Sequence, residues 1–490
     1  MTRIGNTPRR GLFRVKSVEQ SIRDTDDPDS RLRKDLTAWD LIVFGVAVVI
    51  GAGIFTLTAR TAGNVAGPSV SLAFVFAAIA CALAALCYAE FASTLPVAGS
   101  AYTYSFATFG EFVAWIIGWD LILEFALAAA VVAKGWSLYL GEVMTVSSSF
   151  MLGSVKIDWG AVLIVAVIGV LLATGTKISS RVSLVITSIK IAVVVFVVAL
   201  GAFYIKAQNF SPYIPPSQPS ETGEGLHQSL FSFVTGAGGS TFGWYGLLAA
   251  ASLVFFAFIG FDVVATTAEE TRNPQKAVPI GILGSLAIVT VLYVAVSFVL
   301  TGMVNYTELA GDESTLATAF ALNGMDWAKN LISIGALAGL TTVVMVLMLG
   351  QTRVLFAMAR DGLVPRRLSH TGRRGTPVRT TVLVTVVVAV LAGVVPLGTL
   401  EEMVNIGTLF AFVLVSIGVI VLRRTRPDLE RGFRVPLVPL VPILSVLACV
   451  WLMVNLSVET WLRFVVWMLL GLIIYFVYSR HHSVLAHLPP

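Results

Sequence analysis

Ile50-Gly51-Ala52-Gly53-Ile54-Phe55 lies near the middle of one long apolar run, and Phe256-Ala257-Phe258-Ile259-Gly260-Phe261-Asp262 lies near the middle of another. Glycine weakens a helix and lets the backbone take shapes other residues avoid, so both runs read as helices that can be interrupted halfway across a membrane. The second run comes five apolar runs after the first. Glycine-interrupted segments at matching places in two five-segment halves point to an inverted-repeat transporter that holds its cargo at the midplane. The plainer reading is that these glycines only let helices pack closely.

The chain has 490 residues, of which 57% are hydrophobic and 12% charged. A soluble protein carries about 25% charged residues, so a water-soluble enzyme is excluded. Twelve apolar segments follow one another, at 37–62, 68–95, 110–140, 159–174, 181–205, 243–268, 278–303, 327–358, 377–395, 402–422, 438–456 and 459–479. They are called segments 1 to 12 below. A spanning strand needs about ten residues with alternating polarity, whereas these are long and apolar on most faces. The fold class is therefore all-α integral membrane, with about twelve transmembrane helices.

With the amino terminus in the cytosol, most of the 33 lysines and arginines fall on the inner side, while Glu221, Glu224, Asp312, Glu313, Glu401 and Glu402 lean outward. A multi-pass protein with both termini cytosolic follows. Residues 1–35 are polar and mixed in charge, and are expected to be a disordered cytosolic tail. Residues 206–242 carry Pro212, Pro215, Pro216 and Pro219, which suits an irregular outer cap. The formal charge of +5 is spread between apolar runs with no aromatic-basic patch, so no nucleic acid partner is expected. Cys81, Cys87 and Cys449 lack metal spacing, and every histidine lies outside the apolar runs. No metal or cofactor is expected, and any intramembrane proton carrier must be a carboxylate or a lysine.

Such groups lie deep in segments 3, 5 and 6. Lys190 is about ten residues into segment 5, roughly 15 Å along a helix and beyond easy snorkelling. A charge there costs about 2.5–3.5 kcal/mol unless it faces the bundle, meets carbonyls or loses its proton. Glu124 in segment 3 and Asp262 just past the break in segment 6 are deep carboxylates, and Asp120 stands one turn before Glu124. Each can balance a cationic cargo, move a proton or hold a neighbour in place. Glu90, Glu269, Glu270, Arg353 and Arg360 fall near the inner surface, where solvated or structural ion pairs are the default and an inner-gate role is the alternative.

Phe255-Phe256-Ala257-Phe258-Ile259-Gly260-Phe261-Asp262, with Thr266-Thr267-Ala268-Glu269-Glu270 and Arg272-Asn273-Pro274, resembles the helix 6 signature of bacterial homologues of cationic amino acid transporters, within the amino acid-polyamine-organocation superfamily. Gly51-Ala52-Gly53-Ile54-Phe55, Tyr88-Ala89-Glu90, Pro96-Val97-Ala98-Gly99-Ser100-Ala101-Tyr102, Gly118-Trp119-Asp120-Leu121-Ile122-Leu123-Glu124, Gly350-Gln351-Thr352-Arg353 and Arg360-Asp361-Gly362 match in the right order. The resemblance implies a five-plus-five inverted repeat with broken helices 1 and 6. Residues 36–205 form the first repeat, 243–423 the second, 424–480 two additional helices, and 481–490 a cytosolic tail.

An amino acid brings a carboxylate and an ammonium that must both be desolvated. Amides freed where helix 1 restarts suit the carboxylate, and carbonyls freed at the breaks suit the amine. By resemblance, Ala52 and Gly53 take the carboxylate, while the carbonyls of Ile50, Phe256, Ala257 and Ile259 take the amine. Phe256 stands where related transporters place an aromatic gate, against a plain packing role. Resemblance also implies that Lys190 and Asp262 couple transport to protons and that Glu124 lies near the substrate side chain. The expected protein is a plasma-membrane secondary transporter, not an enzyme, with amino acid, protons and the lipid bilayer as partners. Cationic amino acids are the first expectation. A broad neutral permease or exchanger is the alternative, since Leu340, Thr341 and Thr342 in segment 8 bring no charge; a transporter-fold sensor is a further one. No channel filter, nucleotide motif or catalytic constellation is visible.

Overall fold

The computed structural model describes residues 36–95, 100–175, 180–219, 225–236, 239–311, 313–370 and 376–484. The expectations for residues 1–35, for Pro96 to Gly99 and for the last six residues lie outside these. Among the described residues, eight helices are long and apolar enough to cross a membrane. Four shorter apolar helices, Ala38–Val49, Trp159–Ala173, Val378–Val394 and Leu440–Val454, complete the twelve segments among the described residues. Their outer faces expose Val170, Val291, Val386 and Ile473, as lipid contact requires. The side that carries Ala38, expected from the charge bias to be cytosolic, is called inner below.

Segment 1 starts at a capping box in which Thr37 and Asp40 each accept the other's backbone amide. Its helix Ala38–Val49 stops at Ile50, whose backbone is extended (φ −68°, ψ 94°). The chain then resumes as wide turns over Gly53–Leu57 and Ala62–Ala66, with an α-turn at Thr58–Thr61 between them. Segment 6 runs as the helix Gly243–Val254, tightens over Phe255–Phe258, extends at Ile259 (ψ 138°) and restarts over Phe261–Glu270. Gly260 makes that restart possible, since its φ of 118° is one that side-chain-bearing residues avoid. Both expected interruptions are therefore present.

The packing partners keep their pattern when every segment number is shifted by five. Segments 2 and 7, 3 and 8, and 4 and 9 lie along one another. Segment 1 packs on 7 as 6 packs on 2, and 3 packs on 10 as 8 packs on 5. Segments 11 and 12 sit outside this exchange, against segments 2, 3 and 10.

The structure departs from a purely helical reading on the outer side. Ser149–Leu152 pairs antiparallel with Val155–Asp158 around Gly153, and Gln218–Pro219 pairs with Ser240–Thr241. These stretches lie between the apolar segments, so their backbone groups pair locally instead of joining a helix. A short helix, Ser100–Thr108, also lies on the inner side between segments 2 and 3, where the apolar pattern marked no segment.

Candidate substrate site between the two broken helices

The break in segment 1 strips carbonyls of helical partners, and side chains from other segments replace them. Lys190, fully buried in segment 5, donates from Nζ to the carbonyls of Ala47 and Ile50, the second at 3.0 Å. Tyr293 of segment 7 donates its hydroxyl to the Val49 carbonyl at 2.6 Å. The Ile50 carbonyl, expected to face a substrate ammonium, thus accepts from Lys190 in this state. On the other side of the break, Ala52 and Gly53 head the outer half, where amides have no partner within their own helix.

The two breaks touch. A Cβ on Gly53 would collide with Cα and Cβ of Ala257, so glycine is what lets the segment 1 restart press against segment 6. The Phe256 carbonyl accepts the Ile259 amide at 3.1 Å, which closes the tightened turn. Beside this junction lies a cavity of about 20 Å³, room for little more than a water molecule. Gly51, Ala52, Gly53, Phe256 and Ile259 line it from the breaks, with Val48 and Val49 from the inner half of segment 1. Segment 3 adds Ala128 and Val132, and segment 8 adds Val343 and Leu347.

Of the residues singled out in the sequence, Ala52, Gly53, Phe256 and Ile259 meet at this cavity. Ile50 and Ala257 stand behind it, and Glu124 is not in its wall. Glu124 lies one turn below Ala128 and forms a buried cluster with Asp120 and Asp262 on the inner side of the site. Both Asp120 oxygens and one Asp262 oxygen have no hydrogen-bond partner among the described residues. The side-chain wall was missed in the sequence, although positions 124, 128 and 132 recur at the spacing of one helix face, as do 343 and 347.

Above the cavity, on the outer side, opens a space of about 920 Å³. At its edge Arg60, on the outer half of segment 1, pairs with Glu401 at the start of segment 10. Below, at the inner surface, Glu90 is buried against Arg423, which approaches to 2.6 Å, and Arg431, at 3.3 Å, and accepts the Val435 amide at 2.7 Å. Glu90 is thus a structural anchor, as the default reading of the inner charges expected, while Arg353 and Arg360 are exposed.

A model of the amino acid permease family matches residues 36–478. The chain is 44% identical to the branched-chain amino acid permease BcaP of Bacillus subtilis (strain 168), over 96% of this chain and 98% of that one. It is 42% identical to the methylthioribose transporter of the same organism, over 97% and 99%. It is 35% identical to the vacuolar cationic amino acid transporter 4 of Arabidopsis thaliana, over 85% of this chain and 68% of that one.

Proposed function

Because the chain belongs to the amino acid permease family, and is a multi-pass membrane transporter and not an enzyme, we propose that it carries neutral aliphatic amino acids across the plasma membrane, driven by protons. The observation that carries the choice of substrate is the side-chain wall of the central cavity. Ala128, Val132, Val343 and Leu347 offer no charge and no hydrogen bond. A cationic side chain buried there would lack a counter-charge, because Glu124 is set back from the wall; a branched aliphatic one would trade water for matching apolar surface. Two relatives named as branched-chain permeases, at 44% and 32% identity, agree with this reading. It narrows the first expectation of arginine, lysine or ornithine toward the neutral alternative.

In this reading Ala52 and Gly53 present amides to the substrate carboxylate, and the carbonyls of Phe256 and Ile259 face its ammonium once the turn between them loosens. Ile50 and Ala257 hold the two breaks in place. Phe256 closes the site from segment 6. Lys190 exchanges its proton as the break opens and closes, with Asp262 and the neighbouring carboxylates on the inner side taking part. Residues 36–205 and 243–423 act as the two inverted halves, with both termini cytosolic.

The test is uptake into proteoliposomes under imposed proton or sodium gradients, with labelled leucine challenged by isoleucine, valine, alanine, arginine, lysine and methylthioribose. Leucine accumulation that follows the proton gradient and yields to branched-chain competitors supports the proposal. Strong competition by arginine and lysine returns the cationic expectation. Competition by methylthioribose alone removes the amino acid reading, since that molecule has neither carboxylate nor ammonium for the two breaks.

A further inference from the structure

Lys190 reaches the break through a slot in segment 8, and the width of that slot is fixed by two glycines. Gly335 and Gly339 stand four residues apart in the helix Asp326–Arg360, on one face. A Cβ on Gly335 would collide with Val193, and one on Gly339 would collide with Cγ and Cδ of Lys190. Segment 5 therefore lies in a groove that small residues open on segment 8, the arrangement that lets two membrane helices approach closely. Val193 fills one notch and the lysine stem fills the other. The stem passes over Gly339 and ends with Nζ on the carbonyls of Ala47 and Ile50.

The same helix face continues to the central cavity. Val343, one turn beyond Gly339, lines the cavity and lies against Gly51, where an added Cβ would sit 3.5 Å from its Cγ1. Segment 8 therefore touches the substrate compartment, the break and the lysine stem within about two turns of helix.

We propose that Gly339 is a positioning residue for proton coupling: it reserves the slot through which Lys190 reaches the break carbonyls, so that any side chain at 339 uncouples the lysine without touching the substrate. The inference rests on the coupling role proposed for Lys190. An alanine at 339 pushes the stem aside and lifts Nζ from Ala47 and Ile50. Removing the stem leaves a space into which the methyl group added by Gly339→Ala fits, so the two substitutions compensate each other sterically.

The experiment compares wild type, Gly339→Ala, Lys190→Ala and the double variant. It measures proton-driven accumulation across a pH series, counterflow without a gradient, and thermal melting of purified protein. Gly339→Ala is expected to lose most of its gradient-driven accumulation and to flatten its pH profile while counterflow persists. In the Lys190→Ala background the same substitution should change neither the melting temperature nor counterflow. If Gly339→Ala alone does not fold, recovery of folded protein in the double variant supports the slot. A wild-type pH profile in Gly339→Ala, beside an altered one in Lys190→Ala, overturns the inference and leaves the coupling role standing. A wild-type profile in Lys190→Ala removes the coupling role, and the melting comparison then decides the slot by itself. Equal destabilisation by Gly339→Ala in both backgrounds overturns it.

Discussion

At the scale of single residues, the site depends on which atoms are missing as much as on which are present. Gly53 has no Cβ because Ala257 occupies that space. Gly53→Val would force the two breaks apart; overpacking of this kind costs about 1–3 kcal/mol, so substrate affinity should fall by about tenfold or more. Unchanged affinity in purified Gly53→Val, measured by ligand-induced change in melting temperature, would take this contact out of the site. Glu124 makes the opposite point. Its burial was plain from its position in segment 3, yet the cavity wall lies a turn away. Glu124→Gln is therefore expected to weaken leucine, valine and alanine to the same degree in competition assays and to leave arginine a poor competitor. A loss confined to arginine and lysine would put Glu124 at the substrate side chain.

At the scale of elements, the outer half of segment 1 is tied down by an ion pair. Arg60 and Glu401 join it to the start of segment 10, and Glu401 is almost wholly buried while Arg60 borders the outer space. Removing one member of a buried pair is costly because the other charge remains. Glu401→Gln should loosen the outer half, and a cysteine placed at Asn64 in that background should react with an impermeant thiol reagent several-fold faster, as local opening becomes cheaper. The reversed pair, Arg60→Glu with Glu401→Arg, should bring labelling back toward the wild-type rate. Equal labelling in all three proteins would mean that the pair does not hold this element. The inner half of segment 1 is held differently, by Lys190 and Tyr293 on its freed carbonyls. Segment 6 has a related tie: Asn405 of segment 10 donates from Nδ2 to the carbonyls of Ser252, at 2.9 Å, and Leu253. Lys190 on segment 1 and Asn405 on segment 6 thus occupy matching places under the shift by five. Of the two, only the lysine titrates.

At the scale of the molecule, the two helices outside the repeat are fastened through the chain that leads to them. Glu90 of segment 2 gathers Arg423, Arg431 and the Val435 amide, and Ser93 bonds the Phe433 amide at 3.1 Å. Glu90→Gln leaves two guanidinium groups without their anion, and breaking such a pair costs about 3 kcal/mol. The melting temperature should drop while detergent-solubilised protein still binds leucine at low temperature. Unaltered melting would show the cluster to be worth no more than a surface pair. The broad plan of this molecule was legible in the chain: twelve apolar runs, two of them broken by Ile50 to Gly53 and Phe258 to Gly260, and one lysine too deep to snorkel. Each of these is a local signal, since hydropathy, glycine and buried charge show in a single stretch of sequence.

The side-chain wall was not legible. Ala128, Val132, Val343 and Leu347 are ordinary residues of apolar helices, and although their spacing puts 128 with 132 and 343 with 347 on one face, it does not tell a face turned to the cavity from one turned to lipid or a neighbour. Gly335 and Gly339 likewise read as general packing residues until segment 5 is laid against them. By itself the sequence determined the number of spans, the places where two of them break and the deep groups Lys190, Asp120, Glu124 and Asp262, because each of these has a physical cost paid within its own segment; the burial of Glu401 it did not show. Only the tertiary structure decided which groups meet. It put Lys190 on the carbonyls of segment 1, set Glu124 back from the cavity and lined that cavity with aliphatic side chains. Such meetings depend on the rotation of one helix against another, which close packing between distant segments fixes.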